Sequence, residues 1–188
     1  MDLVPRFLAI FLLAAALPAS LGRAAENASA RADEPPMTTV AGVDLARYAG
    51  LWHEVAKIPN RFQKQCARGA TATYALREDG LIDVVNRCVK KDGTEDGVKG
   101  VAKIVDKATN AKLKVSFVSF LGWRPFWGDY WIIGLDEEYE WVVVGTPDRK
   151  YGWILARTPA LDAGSREKVD AILQRNGYKR EAFETSLP

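Results

Sequence analysis

Histidine and cysteine are the scarce residues of this chain. Among 188 residues there is one histidine, His53, and there are two cysteines, Cys66 and Cys88. The shortage matters because transition metals are held mainly by imidazole and thiolate, and no spacing of His, Cys, Asp or Glu here reads as a metal site. No glycine-rich phosphate loop occurs either. Charge of one sign is also lacking: 26 Lys and Arg stand against 24 Asp and Glu, a net of +2. So small and mixed a balance argues against a nucleic-acid partner. The apolar run from Phe7 to Leu17 is too short to span a bilayer.

That run fits an export signal instead. Arg6 precedes it, and small-residue cleavage sites follow at Ala28-Ser29-Ala30 or Gly22-Arg23-Ala24. Residues 1–30 are therefore expected to be a signal peptide and 31–43 a flexible polar segment. Residues 44–188 make one domain, of a size that a single core supports. Removing the leader leaves the charge at +2, since Arg6 and Arg23 balance Asp2 and Glu26. Export places the chain in the periplasm, with peripheral contact at the outer membrane in reach. Leu17-Pro18-Ala19-Ser20 is similar to a bacterial lipoprotein box with serine where the acylated cysteine belongs, so the mature chain reads as unlipidated. In an oxidising compartment two cysteines point to one disulfide, Cys66–Cys88, whose loop closure stabilises a fold by about 3 kcal/mol. Two buried thiols or a reactive Cys66 are the alternatives.

Between Trp52 and Pro159 short strands alternate with turn chemistry. Strands are predicted at 52–57, 70–76, 82–89, 100–106, 112–117, 130–135, 141–145 and 151–157. The joints are Glu78-Asp79-Gly80, Lys91-Asp92-Gly93, Thr109-Asn110, Asp136-Glu137-Glu138 and Pro147-Asp148-Arg149. Eight sequential strands joined mostly by hairpins favour an all-β fold, an antiparallel up-and-down barrel. In the first strand, alternation sets Trp52, Glu54 and Ala56 on one face and His53, Val55 and Lys57 on the other. Gly50 suits a tight bend on entering the wall, and Asp44 caps a helical turn that brings Leu45 and Tyr48 beneath it. After Pro159 the period becomes helical. Ser165 serves as cap, Val169, Ile172 and Leu173 form one stripe, and Gly177 is the stop. This α-helix needs a surface, and the outside of the barrel offers one; Tyr178 and Phe183 pin the tail.

With G-x-W at Gly50 and Trp52, this strand order and the closing WILARTP of residues 153–159, the sequence resembles the lipocalins. The likeness is to the bacterial outer-membrane type and its plant and animal relatives. Its blocks are YAGLWHEVAKIPNRFQ, TATYALREDGLIDVVNRC, NAKLKVSF, GDYWIIGLDEEYEWVVVGTPDRKYGWILARTP and the helix, which cover nearly all of the mature chain. The resemblance implies that Trp52 plugs the closed end, that Arg157 lies across it, and that Asp136 and Tyr139 form the acidic-aromatic turn there. Chain direction agrees. Trp52 and Arg157 fall at one end, in reach of a cation–π contact of about 1–2 kcal/mol, and Cys66 and Cys88 fall at the other. Two departures stand out: His53 where a tyrosine commonly follows the tryptophan, and the missing acylated cysteine.

Alternation anchored on Trp52 and Arg157 aims a set of side chains inward as a cavity lining. They are Ala72, Tyr74, Val84, Asn86, Ala102, Ile104, Leu113, Val115, Phe117, Tyr130, Ile132, Val142, Val144, Tyr151, Trp153 and Leu155. Such a barrel either packs solid or encloses one small ligand; Ala72 and Ala102 favour a void, while Phe117 and Trp153 narrow it. Glu54 is the polar handle, expected to bond Asn86, Tyr74 or a water, because a lone buried carboxylate is costly. The resemblance implies a hydrophobic cargo, and its bacterial branch a long-chain fatty acid or lysophospholipid, with no cofactor and no catalysis. Rivals are a carrier of pigment, isoprenoid or tetrapyrrole, with the single histidine arguing against haem, and an enzyme using Glu54 or a free Cys66. At the open end, the stretch from Ser119 to Gly128 with Phe62 forms the mouth. There Phe62, Trp123, Phe126 and Trp127, mixed with Arg61 and Lys64, suit a lid or an anchor on anionic lipid. Alternatively, these aromatics fold back and close the pocket.

Overall fold

A computed structural model describes residues 36–188. The expected signal peptide, Ser20 and the first part of the polar segment lie outside the described residues. The strands are β1 (Gly50–Lys57), β2 (Cys66–Leu76), β3 (Ile82–Lys90), β4 (Glu95–Ile104), β5 (Lys112–Ser116), β6 (Gly128–Leu135), β7 (Trp141–Gly145) and β8 (Gly152–Ala156). Each pairs antiparallel with the next, and β1 pairs with both β2 and β8, so the sheet closes into a barrel. The fourth strand begins at Glu95 rather than Gly100, because its first half is charged and exposed and carries no apolar period.

Helix α1 (Leu45–Tyr48) forms as expected under the first strand, with the Asp44 carboxylate accepting from the N–H groups of Ala46 and Arg47. The segment before it is not a loose lead-in over its last residues. The N–H of Thr38 donates to Asn176 Oδ1 at 2.8 Å, that of Val40 to the Ile132 carbonyl at 3.0 Å, and that of Val43 to the Thr109 carbonyl at 2.8 Å. Val43 is buried in the inner core.

Two apolar layers share the sheet. The inner one fills the barrel; the outer one lies between β6–β8 and helix α2 (Ala163–Arg175), whose Val169 and Leu173 pack on Ile133, Trp141, Val143 and Ile154. β7 is therefore buried at every position, which is why its sequence is apolar without alternation. The helix cap is Asp162 rather than Ser165: its Oδ1 accepts from the Ser165 N–H at 3.0 Å and its Oδ2 from the Ser165 hydroxyl at 2.6 Å.

Besides two register shifts at the start of β2, between Cys66 and Thr71, bulges in β1 and β6 break the alternation and flip the faces beyond them. In β1 the register shifts between Glu54 and Ala56. Ala56 consequently turns out to the helix layer and Lys57 turns inward, the reverse of the simple alternation. In β6 the shift lies between Ile132 and Gly134, sending Leu135 inward.

The C-terminal tail adds a stave that the sequence did not announce. β9 (Glu184–Thr185) pairs with Lys57 and Ala56. Beyond it the Ser186 N–H donates to the Val55 carbonyl at 2.9 Å, and the Gly69 N–H to the Leu187 carbonyl at 2.8 Å. The tail thus bridges β1 and β2 above the point where their own pairing, Gly50–His53 with Tyr74–Thr71, has ended. Tyr178 helps fix this tail: its hydroxyl accepts from the Thr146 N–H at 2.9 Å and donates to the Tyr151 carbonyl at 2.7 Å.

Candidate functional site: a barrel lumen sealed at one end

The sealed end is tied by one guanidinium. Arg157 Cζ stands 3.8 Å from the centre of the Trp52 ring. Its Nη1 donates to the Leu51 carbonyl at 2.8 Å, Nη2 to those of Arg47 at 2.7 Å and Ala49 at 3.1 Å, and Nε to that of Tyr139 at 3.3 Å. Trp52 is wholly buried and its Nε1 donates to the Tyr48 carbonyl at 2.8 Å. Gly50 makes the turn beneath them at φ +98°, and a Cβ there would stand 3.4 Å from Arg157 Nη1. In the neighbouring turn Asp136 accepts from the Glu138 N–H at 3.1 Å, and the Tyr139 hydroxyl from the Asp44 N–H at 2.8 Å.

Three phenols form a polar knot inside the barrel. The Tyr130 hydroxyl lies 2.7 Å from that of Tyr48 and 2.9 Å from that of Tyr74. Burial raises all three pKa values, that of Tyr74 to about 12, so each stays a neutral hydrogen-bonding group. Tyr74 and Tyr130 were legible as inward; that Tyr48 completes the set was not, because α1 rather than a strand carries it.

The interior is unevenly filled. Ala72, Tyr74, Val84, Ala102, Leu113, Tyr130, Ile132, Val142, Val144 and Leu155 retain 8% exposure or less. Ile132, Val142 and Val144 are wholly buried, whereas Ala72, Tyr74 and Tyr130 keep 7–8% of their surface accessible. Asn86, Val115, Phe117, Tyr151 and Trp153 are only half-buried, as is Ile104 at the closed-end tip of β4. Val98, which the sequence reading missed by starting the fourth strand too late, is the register partner of Asn86 and shares its inward face. It is 45% exposed. Asn86, Val98, Val115, Phe117, Tyr151 and Trp153, which keep more accessible surface than the residues below them, lie toward the open end. The Phe117 ring lies against Gly100, where a Cβ would fall 2.5 Å from it. Asn86 Oδ1 is buried and makes no hydrogen bond among the described residues.

Glu54 does point inward but bonds neither Asn86 nor Tyr74. Its carboxylate accepts from Lys57 Nζ, Gln63 Nε2 and the Ser186 hydroxyl, each at 2.6 Å. The bulge that turns Lys57 in and the tail that delivers Ser186 explain the change of partners. Gln63 Oε1 in turn accepts from Trp153 Nε1 at 3.0 Å and Asn60 Nδ2 at 2.8 Å. Cys66 and Cys88 form a disulfide at the open end, which removes Cys66 as a free nucleophile.

The mouth aromatics divide. Phe62, Trp123 and Phe126 are 59–69% exposed, and Leu121 of the same mouth stretch is 92% exposed. Trp127 folds back instead, with Nε1 donating to the Arg124 carbonyl at 2.9 Å and Lys103 Nζ 4.2 Å above its ring.

A family model for a lipocalin-like domain matches residues 43–188. The chain is a lipocalin. It is 38% identical to the outer membrane lipoprotein Blc of Escherichia coli (strain K12) over 152 residues, 79% of this chain and 82% of that protein. It is 36% identical to temperature-induced lipocalin-1 of Arabidopsis thaliana over 149 residues, 78% and 80% of the two chains. The fold matches insecticyanin from the tobacco hornworm Manduca sexta with a TM-score of 0.65 at 24% identity, covering 81% of this chain and 84% of that one. Lipocalins generally bind small hydrophobic ligands, and members of the family are generally binding and transport proteins. The bacterial relatives are by name outer membrane lipoproteins, which stands against reading this lipocalin as unlipidated from Ser20 alone.

Proposed function

We propose that this lipocalin binds a single long acyl chain, that of a fatty acid or lysophospholipid, and holds or carries it in the bacterial envelope. The uneven filling of the barrel supports this reading: below, packed side chains; above, apolar walls that solvent reaches, opening onto an apolar rim. The hydrocarbon enters beside Val98, Val115, Phe117 and Trp153, and what the lumen does not hold lies against Phe62, Trp123 and Phe126. Asn86 Oδ1 offers one unspent acceptor to a ligand hydroxyl. Contact between the rim and anionic lipid fits the same surface, where Arg61, Lys64 and Arg124 stand among the aromatics. The envelope assignment draws on the expected signal peptide and on the location in the bacterial relatives' names.

Chain length is the discriminating variable. Each buried methylene is worth about 0.8 kcal/mol, so ~12 of them give roughly 10 kcal/mol against binding costs of several. Displacement of a fluorescent fatty-acid probe should therefore show micromolar or tighter binding for palmitate and almost none for octanoate. Equal displacement by both would rule the reading out.

A further inference from the structure

Where β1 and β2 diverge at the open end, the rim loop, the start of β2 and the C-terminal tail enclose a recess of about 310 Å³. Its walls include Lys57, Lys64 and Arg68 against a single acid, Glu184. Lys57 is already matched by Glu54, at 2.6 Å. Lys64 and Arg68 make no ion pair among the described residues, so the lining keeps a net positive charge. Asn60, Gln63, Thr185 and Ser186 complete it with polar groups. Gln63 belongs to both compartments: it lines the recess and accepts from Trp153 Nε1 in the lumen wall at 3.0 Å. A polar group seated in the recess is therefore one side chain away from the apolar interior.

We propose that this recess holds the anionic headgroup, a phosphate ester or carboxylate, of the single-chain lipid whose hydrocarbon occupies the lumen. The proposal rests on the acyl-chain reading above. Arg68 supplies the forked donor that oxyanions favour and Lys64 a movable point charge. Because both are exposed at the rim, their pull is screened by salt. The tail is part of the site, so the headgroup and the β9 stave share one seam.

The experiment titrates the full chain, below micelle-forming concentrations, with palmitoyl lysophosphatidate, uncharged palmitoyl monoacylglycerol and inorganic phosphate. Wild type is compared with the Lys64→Gln/Arg68→Gln double variant, whose two changes lie on the surface. The expected result is an affinity for lysophosphatidate lowered about tenfold in the variant, since charge-assisted hydrogen bonds to an oxyanion are strong but screened at an exposed rim. Monoacylglycerol binding stays unchanged, and added salt erases the wild-type preference. Inorganic phosphate binds at least a hundredfold more weakly than the lipid. Equal loss for both lipids, or loss for neither, overturns the headgroup site while leaving the acyl-chain reading intact. Phosphate binding as tight as lysophosphatidate makes the recess an anion site unconnected with lipid, which also overturns it. Wild type that binds neither lipid removes the acyl-chain reading, and this proposal with it.

Discussion

The two ends of the barrel are held by different physics. At the closed end a single guanidinium gathers the carbonyls of Arg47, Ala49, Leu51 and Tyr139 over a fully buried indole, and Ile132, Val142 and Val144 are wholly buried in the same core. At the open end neighbouring strands separate, and the wall is completed by a disulfide and a two-residue strand from the tail. Packing needs material in the middle, and a covalent staple does not. A barrel that must admit a ligand at one end can therefore be dense at the other only if something besides packing keeps its mouth in shape.

The comparison breaks first at Trp52. Trp52→Ala empties the largest buried side chain and strips Arg157 of its ring, and should cost about 3–5 kcal/mol, read as a lower urea midpoint with an unchanged slope. A cost below about 1 kcal/mol would mean that the closed end is not the stable one. Next in size is the staple. Cys66→Ser/Cys88→Ser opens a loop of sequence separation 22 and should cost about 3 kcal/mol. Amide exchange separates the two variants: loss of the disulfide should speed exchange near Gly69 and Ser186, whereas loss of Trp52 should speed it around α1 and the start of β1. Identical exchange maps would erase the distinction between the ends.

Most of the barrel was readable because its interior and exterior differ in polarity along most of its strands, β7 excepted. The first-strand tryptophan, the final arginine and the cysteine pair could even be sorted by end from chain direction alone. Reading failed where parity breaks or where a partner comes from far along the chain. No residue type marks the bulge at Val55, so Lys57 was assigned outward, although it lies inside against Glu54. In the first half of β4 Val98 is the one apolar side chain among Glu95, Asp96, Gly97 and Lys99, too few to show a period, so it is not legible as a wall residue. Ser186 lies 132 residues from Glu54, and nothing local in either announces the contact. How full the lumen is was beyond alternation, which gives the direction of a side chain but not the room around it. The helix cap was missed by one hydrogen bond, since Ser165 is the residue that Asp162 caps.

A smaller effect tests the polar knot between the two ends. Tyr130→Phe leaves the hydroxyls of Tyr48 and Tyr74 without the partner they share, at a cost of about 1–3 kcal/mol. Tyr74→Phe should cost less, because the Tyr48–Tyr130 bond survives it. The knot also sets an alkaline limit. Tyr74 has a folded pKa of about 12 against an ordinary 10.0, so its contribution is intact below about pH 10 and is lost as the pH rises toward about 12. In that window unfolded phenols release protons that the folded ones retain, and unfolding is favoured. Far-UV circular dichroism across this range should show stability falling from about pH 10 in the wild type, and falling less steeply in Tyr74→Phe. A wild-type curve flat to pH 12 would mean that the phenols titrate alike in both states.

The smallest expected change in stability belongs to the rim. Trp123 and Phe126 are 67% and 69% exposed, so removing both should shift stability by no more than about 0.5 kcal/mol. Trp127, three residues from Arg124 whose carbonyl it bonds, is the contrasting substitution: Trp127→Ala should cost about 1 kcal/mol through the lost hydrogen bond and the Lys103 contact. If the exposed rings serve a lipid surface, Trp123→Ala/Phe126→Ala should lose co-sedimentation with anionic vesicles while keeping its melting curve, and Trp127→Ala should do the opposite. Large aromatics left in water by a fold that buries Trp52 completely fit a surface outside the barrel. Retention of vesicle binding by the rim double variant would remove that explanation and leave those rings as a cover for the lumen.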